Sequence, residues 1–534
     1  MKGFPGMQRR HLLAGLGAAA FLPWPGRAQA QQGSRKLTIA FGDPVSSLDP
    51  QLNNFAGDRS VDLHFFDLLI ENHTEGGLQP GLALSWKPVG ERVWEFILRP
   101  GVTWSDGKAF TADDVVFSYA RAPDVPGSTA SFAGYLRTVE KVEATGPLTL
   151  RVTTKEPNPL LPLNLASVHI VSRHATEGAS SNDFNSGKAM VGTGPYTFVS
   201  FTPGERVRMK ARPDYWGGKP DWDEVDYRYV ASAPARTAAL LAGDVDVIDK
   251  VSVSDLAQIR SRKEVVLYAY PGLRMLLLQP SFSEKPSPFA LANDGSPLPK
   301  NPMLDIRVRR ALTMAVNRDA LCDRLMNGTA TPTGQWMPEG SFGYDPSIRP
   351  PAFEPDKARA LLAEAGYPDG FQLTLHLPND RYVLGPQVAQ AVAQMWTRVG
   401  VKTQVEAVPW SVYSSGVKTG DYAMTTLAWG NGTGEGSYAL INVLGSVDPR
   451  QGRGVSNWGR YSNPQVDQAL EDAMAAFDDA KREAILRKSA QVVAEDAGII
   501  PLFHYQNLWA AKRHLKVTPQ TSDRTTAMMV SRTS

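Results

Sequence analysis

The sequence predicts an α/β protein built from two or more lobes, and three observations lead there. At 534 residues, 42% hydrophobic and 21% charged, the chain has ordinary globular composition and far too much length for one core. Between Phe371 and Trp429, strand and helix periodicities alternate in the order β-α-β-α-β, which normally means parallel strands joined by right-handed crossovers. The 40 prolines and 46 glycines are spread along the chain, so they read as turns and ordered connections and not as a disordered tail.

Residues 1–30 stand apart. Arg9 and Arg10 precede an apolar stretch from Leu12 to Leu22, and Ala28-Gln29-Ala30 offers the small-x-small site that a signal peptidase needs. The stretch is too short to span a bilayer and no later segment approaches ~20 apolar residues, so a soluble mature protein is expected. Arg9-Arg10-His11-Leu12-Leu13 resembles a twin-arginine export signal, although Gln8 stands where that signal usually carries Ser or Thr, and Met7 is an alternative start. Removing the leader takes away Lys2, Arg9, Arg10 and Arg27 and no acid, so the 56 basic and 54 acidic residues become 52 against 54, a net −2. With no basic patch or RNA-binding signature, nucleic acid is not an expected partner. The one cysteine, Cys322, excludes an intrachain disulfide, a cysteine metal cluster and a lipid-modified N-terminus. It reads as a small core residue of a helix, and an exported, non-lipidated chain points to a Gram-negative periplasm.

The elements follow in order. "LQPGLALSWKPVGERVWEFILRPGVTWSDGKAFTADDVVFSYAR" (78–121) reads as hairpin strands, with turns at Pro88 to Gly90 and Asp106-Gly107, and then a helix begun by Thr111. Asp113 and Asp114 suit that helix's N-terminus, which explains them better than a catalytic pair would. Leu304, Val308, Ala311, Leu312, Ala315 and Val316 recur at helical spacing, with Asp305 near the start and Gly328 past the end. A shorter helix runs from about Asp356 to Ala365 and stops at Gly366. Phe371, Leu373, Leu375 and Leu377 alternate with Gln372, Thr374 and His376 in a strand ending at Pro378. Val388, Ala391, Val392, Met395 and Val399 return to a helical period before Gly400. Val401 to Val408 alternates again, a short helix spans about Ser411 to Lys418, and Tyr422 to Trp429 forms the next strand.

That order places the loops. In an open α/β sheet, ligands bind beyond the carboxyl ends of the strands. Three loops occupy such ends: "PNDRY" (378–382), "PWSVY" (409–413) and "WGNGTGEGSY" (429–438). They are expected to converge on one cleft wall.

The stretch 78–121, with "GTGPYTF" (192–198), "YWGGKPDWDEVDYRYV" (215–230), "LLAGDVDVI" (240–248), "IRVRRALTMAVNRDAL" (306–321) and "ARALLAEAGYPDGF" (358–371), resembles the peptide/nickel class of extracytoplasmic solute-binding proteins. These feed ATP-binding-cassette importers, and the match covers nearly all of the mature chain in order. The resemblance implies a two-lobed periplasmic-binding-protein clamp with an extra third domain: lobe one from 31–72, 190–278 and 505–534, the extra domain from 73–189, lobe two from 279–504. Two strands of chain would cross between lobes, near 276–280 and 501–506. The implied partners are a small-molecule or peptide ligand and the importer's membrane permease. A monomer without cofactor or bound metal is expected.

In the dipeptide-binding members, an arginine in a loop like "PNDRY" grips the ligand carboxylate, and Arg381 matches it. Trp410 and Trp429 match two pocket-lining tryptophans. Three positions after the second, those proteins carry an aspartate that pairs with the peptide ammonium; here the position is Gly432. A buried ammonium without a counter-charge is strongly disfavoured. Either Glu435 swings in from the flexible loop or the ligand has no free amine there, and the second is preferred. Tyr382, Tyr413 and Asn431, on the same loops, complete the lobe-two candidates. From lobe one, "SSLDPQLNNFAGD" (46–58) is the expected opposing wall, through Asn53, Asn54 and Phe55.

An enzyme needs a nucleophile with its base, or a metal cage. No G-x-S-x-G elbow, H-E-x-x-H helix or P-loop occurs, and "GNGTGEG" lacks the lysine and helix start of a phosphate loop. The histidines His64, His73, His169, His174, His376, His504 and His514 show no ligand spacing, so a periplasmic hydrolase is a remote alternative. Nearer ones are a nickel-chelate receptor, in which Arg381 holds a chelator's carboxylate, and an oligosaccharide receptor, whose sugars would stack on Trp410 and Trp429.

Overall fold

Two long antiparallel strands tie the molecule together. The computed structural model describes residues 34–73 and 77–533, so the expected leader at 1–30 lies outside the described residues. After β1 (Lys36–Phe41) and α1 (Ala56–Phe65) come β2 (Ala83–Gly90), β3 (Val93–Leu98), α2 (Ala112–Arg121), β4 (Val139–Gly146) and β5 (Thr149–Thr154). These four strands form an antiparallel sheet in the order β2-β3-β5-β4, over a core that includes Phe96, Trp104 and Phe132. Helix α2 starts where the sequence places it. Thr111 and Asp114 make a capping box, and Asp114 accepts the Thr111 N–H at 3.0 Å and the Arg173 N–H at 2.9 Å.

A sheet of 12 strands runs through the rest. Its members include β6 (Tyr196–Thr202), β7 (Arg206–Ala211), β8 (Glu224–Tyr229), β9 (Val247–Asp249) and β10 (Val265–Pro280). The C-terminal half adds α3 (Ile306–Met314), α4 (Pro355–Glu364), β11 (Phe371–Pro378), α5 (Gly385–Arg398), β12 (Val401–Val408), α6 (Trp410–Thr419), β13 (Met424–Gly430) and β14 (Ile500–Lys512). The order reads β11-β13-β10-β14-β9-β1-β8-β7-β6, with β12 beside β11. Strands β10 and β14 pair antiparallel along most of their length, and their register shifts between Pro271 and Met275. On one side of that shift β14 pairs with β9; on the other β10 pairs with β13. Each half of the molecule therefore hangs on the same two strands, with an irregularity between the halves.

The β-α-β-α-β run forms as its periods require: β11 pairs in parallel with both β12 and β13. One local expectation is corrected. The helix read from Leu304 through Val316 is shorter: α3 ends at Met314 and a new turn starts at Arg318, because the Asn317 side chain caps it by accepting the Ala320 N–H at 2.9 Å. Leu304 precedes the helix and is 41% exposed. On the polar face of β11, Gln372 and Thr374 are half-buried. His376 is fully buried, stacked on Tyr422 with ring centroids 3.7 Å apart and 3.2 Å from Glu406, because this strand lies between two others and is covered on both faces.

Candidate functional site

The loops after β11 and β12 meet directly. The Arg381 guanidinium carbon lies 4.1 Å from the centre of the Trp410 ring, while Asp380 uses its carboxylate to accept the Trp410 backbone N–H at 3.1 and 3.2 Å. Asp380 thus fixes the indole at the start of α6, and Arg381 stacks on the indole face and makes no ion pair among the described residues. The in-plane N–H edges of the guanidinium stay open to a planar acceptor. Trp410 also approaches Trp458, with 6.2 Å between centroids.

The loop after β13 contributes a second aromatic wall. Trp429, half-buried and paired across the sheet with Met275 of β10, has its ring centroid 5.4 Å from that of Tyr438. Between the two walls stands Arg274, at the irregular stretch of β10. This arginine is exposed, its Nη1 lies 3.5 Å from the Ala428 carbonyl, and a Cβ placed on Gly430 would come within 3.3 Å of its Nη2. Gly430 thus leaves room for the guanidinium. Tyr382 and Tyr505 complete the neighbourhood: both phenols are raised by burial, and both feel the charge of Arg274. Arg274 was not among the residues expected from sequence. The signal was one cation inside the apolar strand "LRMLLLQP".

Four expected ligand contacts have their polar atoms committed elsewhere. The Tyr413 side chain is fully buried, and its hydroxyl donates to the Thr426 carbonyl at 2.7 Å and accepts the Thr426 N–H at 3.0 Å. Asn431 is buried, donating to the Glu435 carbonyl at 2.9 Å and accepting from the Thr433 hydroxyl at 3.0 Å. Glu435 does not swing into the cleft. It is 4% exposed and caps the helical turn at Gly436, accepting the Ser437 N–H at 3.0 Å, with Arg482 Nε 3.6 Å from its other oxygen. Asn53 accepts the Thr129 and Ala130 N–H groups at 2.9 and 3.2 Å and so staples the chain near Ala130. The glycine-rich loop is accordingly an ordered turn, held by its own Asn, Thr and Glu side chains.

On the opposite wall, Asn54 donates to the Tyr135 hydroxyl at 3.0 Å and accepts from Arg59 at 2.8 Å, while Phe55 is 43% exposed at the start of α1. The halves touch across the cleft where Asn72 donates to the Thr433 carbonyl at 2.8 Å, and the Trp94 and Phe477 rings meet at 5.9 Å. Among the described residues, no group of three or more His, Cys, Asp or Glu side chains is placed to hold a metal ion.

Comparison with known proteins agrees with this architecture. Residues 77–450 match the family described as bacterial extracellular solute-binding proteins, family 5 Middle. The chain is 29% identical over 503 residues to the glutathione-binding protein GsiB of Pectobacterium atrosepticum, covering 92% of each chain. It is 28% identical over 456 residues to heme-binding protein A of Haemophilus influenzae, covering 80% of this chain and 79% of that one. In structure it resembles HbpA2 from Haemophilus parasuis, with a TM-score of 0.81, 24% identity and coverage of 93% and 100% of the two chains.

Proposed function

This chain belongs to the bacterial extracellular solute-binding proteins of family 5, and from that premise we propose that its solute is a small, polar, carboxylate-bearing, peptide-like compound held between the two halves. The protein presents it to the permease of an ATP-binding-cassette importer. No covalent chemistry is involved, and the receptor works as a monomer in the periplasm, exported through its twin-arginine leader. No helix among the described residues is long and apolar enough to cross a membrane.

The observation that carries the solute class is Arg381. A guanidinium stacked on an indole, without a carboxylate partner, at the carboxyl end of a parallel strand, is preorganised for bidentate contact with a carboxylate. Trp429 and Tyr438 offer flat surfaces for an apolar or amide portion of the same solute. The relatives named for glutathione and heme bind carboxylate-bearing compounds, which agrees with this reading. Gly432 provides no acid, and Glu435 is occupied by Ser437 and Arg482, so a free ammonium has no counter-charge in that loop.

The test is mass spectrometry of whatever is released on denaturing the mature protein, purified without exhaustive dialysis. A carboxylate-bearing peptide-like compound is expected. A neutral oligosaccharide or stoichiometric nickel would overturn the solute class, and conversion of the released compound by the purified protein would overturn the receptor reading.

A further inference from the structure

We propose that Phe477, from the C-terminal half, is a clasp: it docks on the core of the four-stranded sheet carried by the N-terminal half and draws the two halves together before any solute is bound. The clasp goes beyond the receptor reading, since it sets the protein's own closing equilibrium whatever the solute is.

The four-stranded sheet is fastened firmly to the N-terminal half. Arg121, at the end of α2, makes a two-pronged contact with Asp49, Nη1 to Oδ1 at 2.9 Å and Nη2 to Oδ2 at 2.6 Å, and the Asp49 side chain is fully buried. Arg212, just after β7, donates to the Thr103 hydroxyl at 2.7 Å and to the Trp104 carbonyl at 3.1 Å. Buried charge-assisted bonds of this kind are costly to break. The sheet therefore moves with the N-terminal half.

Its contacts with the C-terminal half are of another kind. Helices α7 (Pro464–Ala475) and α8 (Asp479–Glu495) belong to the C-terminal core, where Leu470, Ala473 and Leu486 cluster with Leu277 of β10 and Leu427 of β13. Phe477 occupies the corner between the two helices, and it packs on the core of the four-stranded sheet. Its ring centroid lies 5.9 Å from that of Trp94, with 35° between the planes. Gly452 lies against Arg137, so that a Cβ on the glycine would stand 3.4 Å from the guanidinium Nη1. The Asn72 side chain adds its hydrogen bond to the Thr433 carbonyl. None of these is a buried charged bond, so parting the halves here costs little beyond exposing the two rings.

Both rings are held ready. The Trp94 indole N–H donates to the Asn158 carbonyl at 3.1 Å, and the residue is 7% exposed. Phe477 is positioned by its neighbour Asp478, which caps α8 by accepting the Lys481 N–H at 2.8 Å. Rings that keep their orientation lose little freedom on meeting, and parting returns two apolar faces to water. A single aromatic pair is strong enough to bias an equilibrium between open and closed forms and too weak to lock it. In the solute-free protein it raises the closed population, which leaves a solute less of the closing to drive.

The test is small-angle scattering of the mature protein, freed of solute by exhaustive dialysis, as wild type, Phe477→Ala and Phe477→Tyr, with circular dichroism to show that each is folded. Phe477→Ala should shift the radius of gyration upward from the wild-type value, and Phe477→Tyr, which keeps the ring, should match wild type. Equal radii for wild type and Phe477→Ala overturn the proposal, as does a Phe477→Tyr protein that opens as far as Phe477→Ala. If Phe477→Ala does not fold, Phe477→Gln keeps a long side chain at the corner without a ring to set on the indole, and a radius equal to wild type would again overturn it. Failure of the receptor reading shows separately, as absence of any solute released from the wild type on denaturation, whatever the radii of the solute-free proteins are.

Discussion

Arg381 was expected to hold the solute's carboxylate, with Glu435 only the less favoured partner for a free ammonium, and the two side chains stand in different surroundings. Arg381 is exposed on an indole face, so its loss should act on the solute: Arg381→Gln is expected to weaken binding of the co-purified solute about tenfold or more, ~1.4 kcal/mol per factor of ten, by calorimetric titration. An unchanged Kd would remove the carboxylate assignment. Glu435 is a buried cap beside Arg482, so Glu435→Ala should act on the fold, costing about 3 kcal/mol in urea denaturation with solute affinity nearly unchanged. His64 gives a pH signature. Its ring is fully buried, its Nε2 accepts the Ala527 N–H at 2.9 Å, and burial lowers its pKa from 6.5 to about 4. Between those values the unfolded chain binds a proton that the native protein refuses, so this contribution is complete above pH 6.5 and is lost as pH falls toward 4. Relative to His64→Asn, the wild type should lose about 1.4 kcal/mol of stability per pH unit across that window. Parallel pH profiles of the two proteins would show that burial does not hold the His64 ring below its unfolded-state pKa.

At the scale of elements, the C-terminal half shows why much of the fold could be read from sequence. Apolar residues at period two in β11, and near 3.6 in α5, leave little freedom in what packs against what, and the parallel pairing follows from the short connections. The turns at Gly366 and Gly400 were legible too, each at positive φ. Gly370, which was not read as a turn, has a φ of +72° and ends the approach to β11, and a Cβ there would stand 1.9 Å from the Gly400 carbonyl. Gly370→Ala is therefore expected to destabilise the β11–β12 pair by more than about 1 kcal/mol, seen as a lowered Tm; an unaltered Tm would mean that the two glycine turns can separate freely. What sequence could not supply was the destination of side chains in irregular segments. Glutamate is an unusual helix cap, so "GTGEGSY" read as a flexible loop until Glu435 was found bonded to Ser437. Arg274 sits inside an apolar strand, where a lone cation was its single local sign.

For the whole molecule, the decisive feature is that β10 and β14 serve both halves and lose register between Pro271 and Met275, where Arg274 emerges. Bending at such an irregularity breaks few ladder hydrogen bonds, so the halves can rotate about it while each keeps its own core. The candidate contacts are divided between the halves: Arg274, Arg381, Trp410 and Trp429 in one, Asn54 and Phe55 in the other. A guest that touches both walls gains from closure, and the halves already share a small contact of their own in Asn72 and Thr433. That bond joins the two halves and lies outside the proposed solute contacts. Asn72→Ala should therefore weaken solute binding about threefold, in line with the net ~0.5–1.5 kcal/mol of one hydrogen bond, through the closing equilibrium alone. Small-angle scattering distinguishes this from a direct effect: saturating solute should reduce the radius of gyration of wild type and Asn72→Ala to the same value, with the variant needing more solute. A radius that solute leaves unchanged in the wild type would show that the halves do not close on their guest.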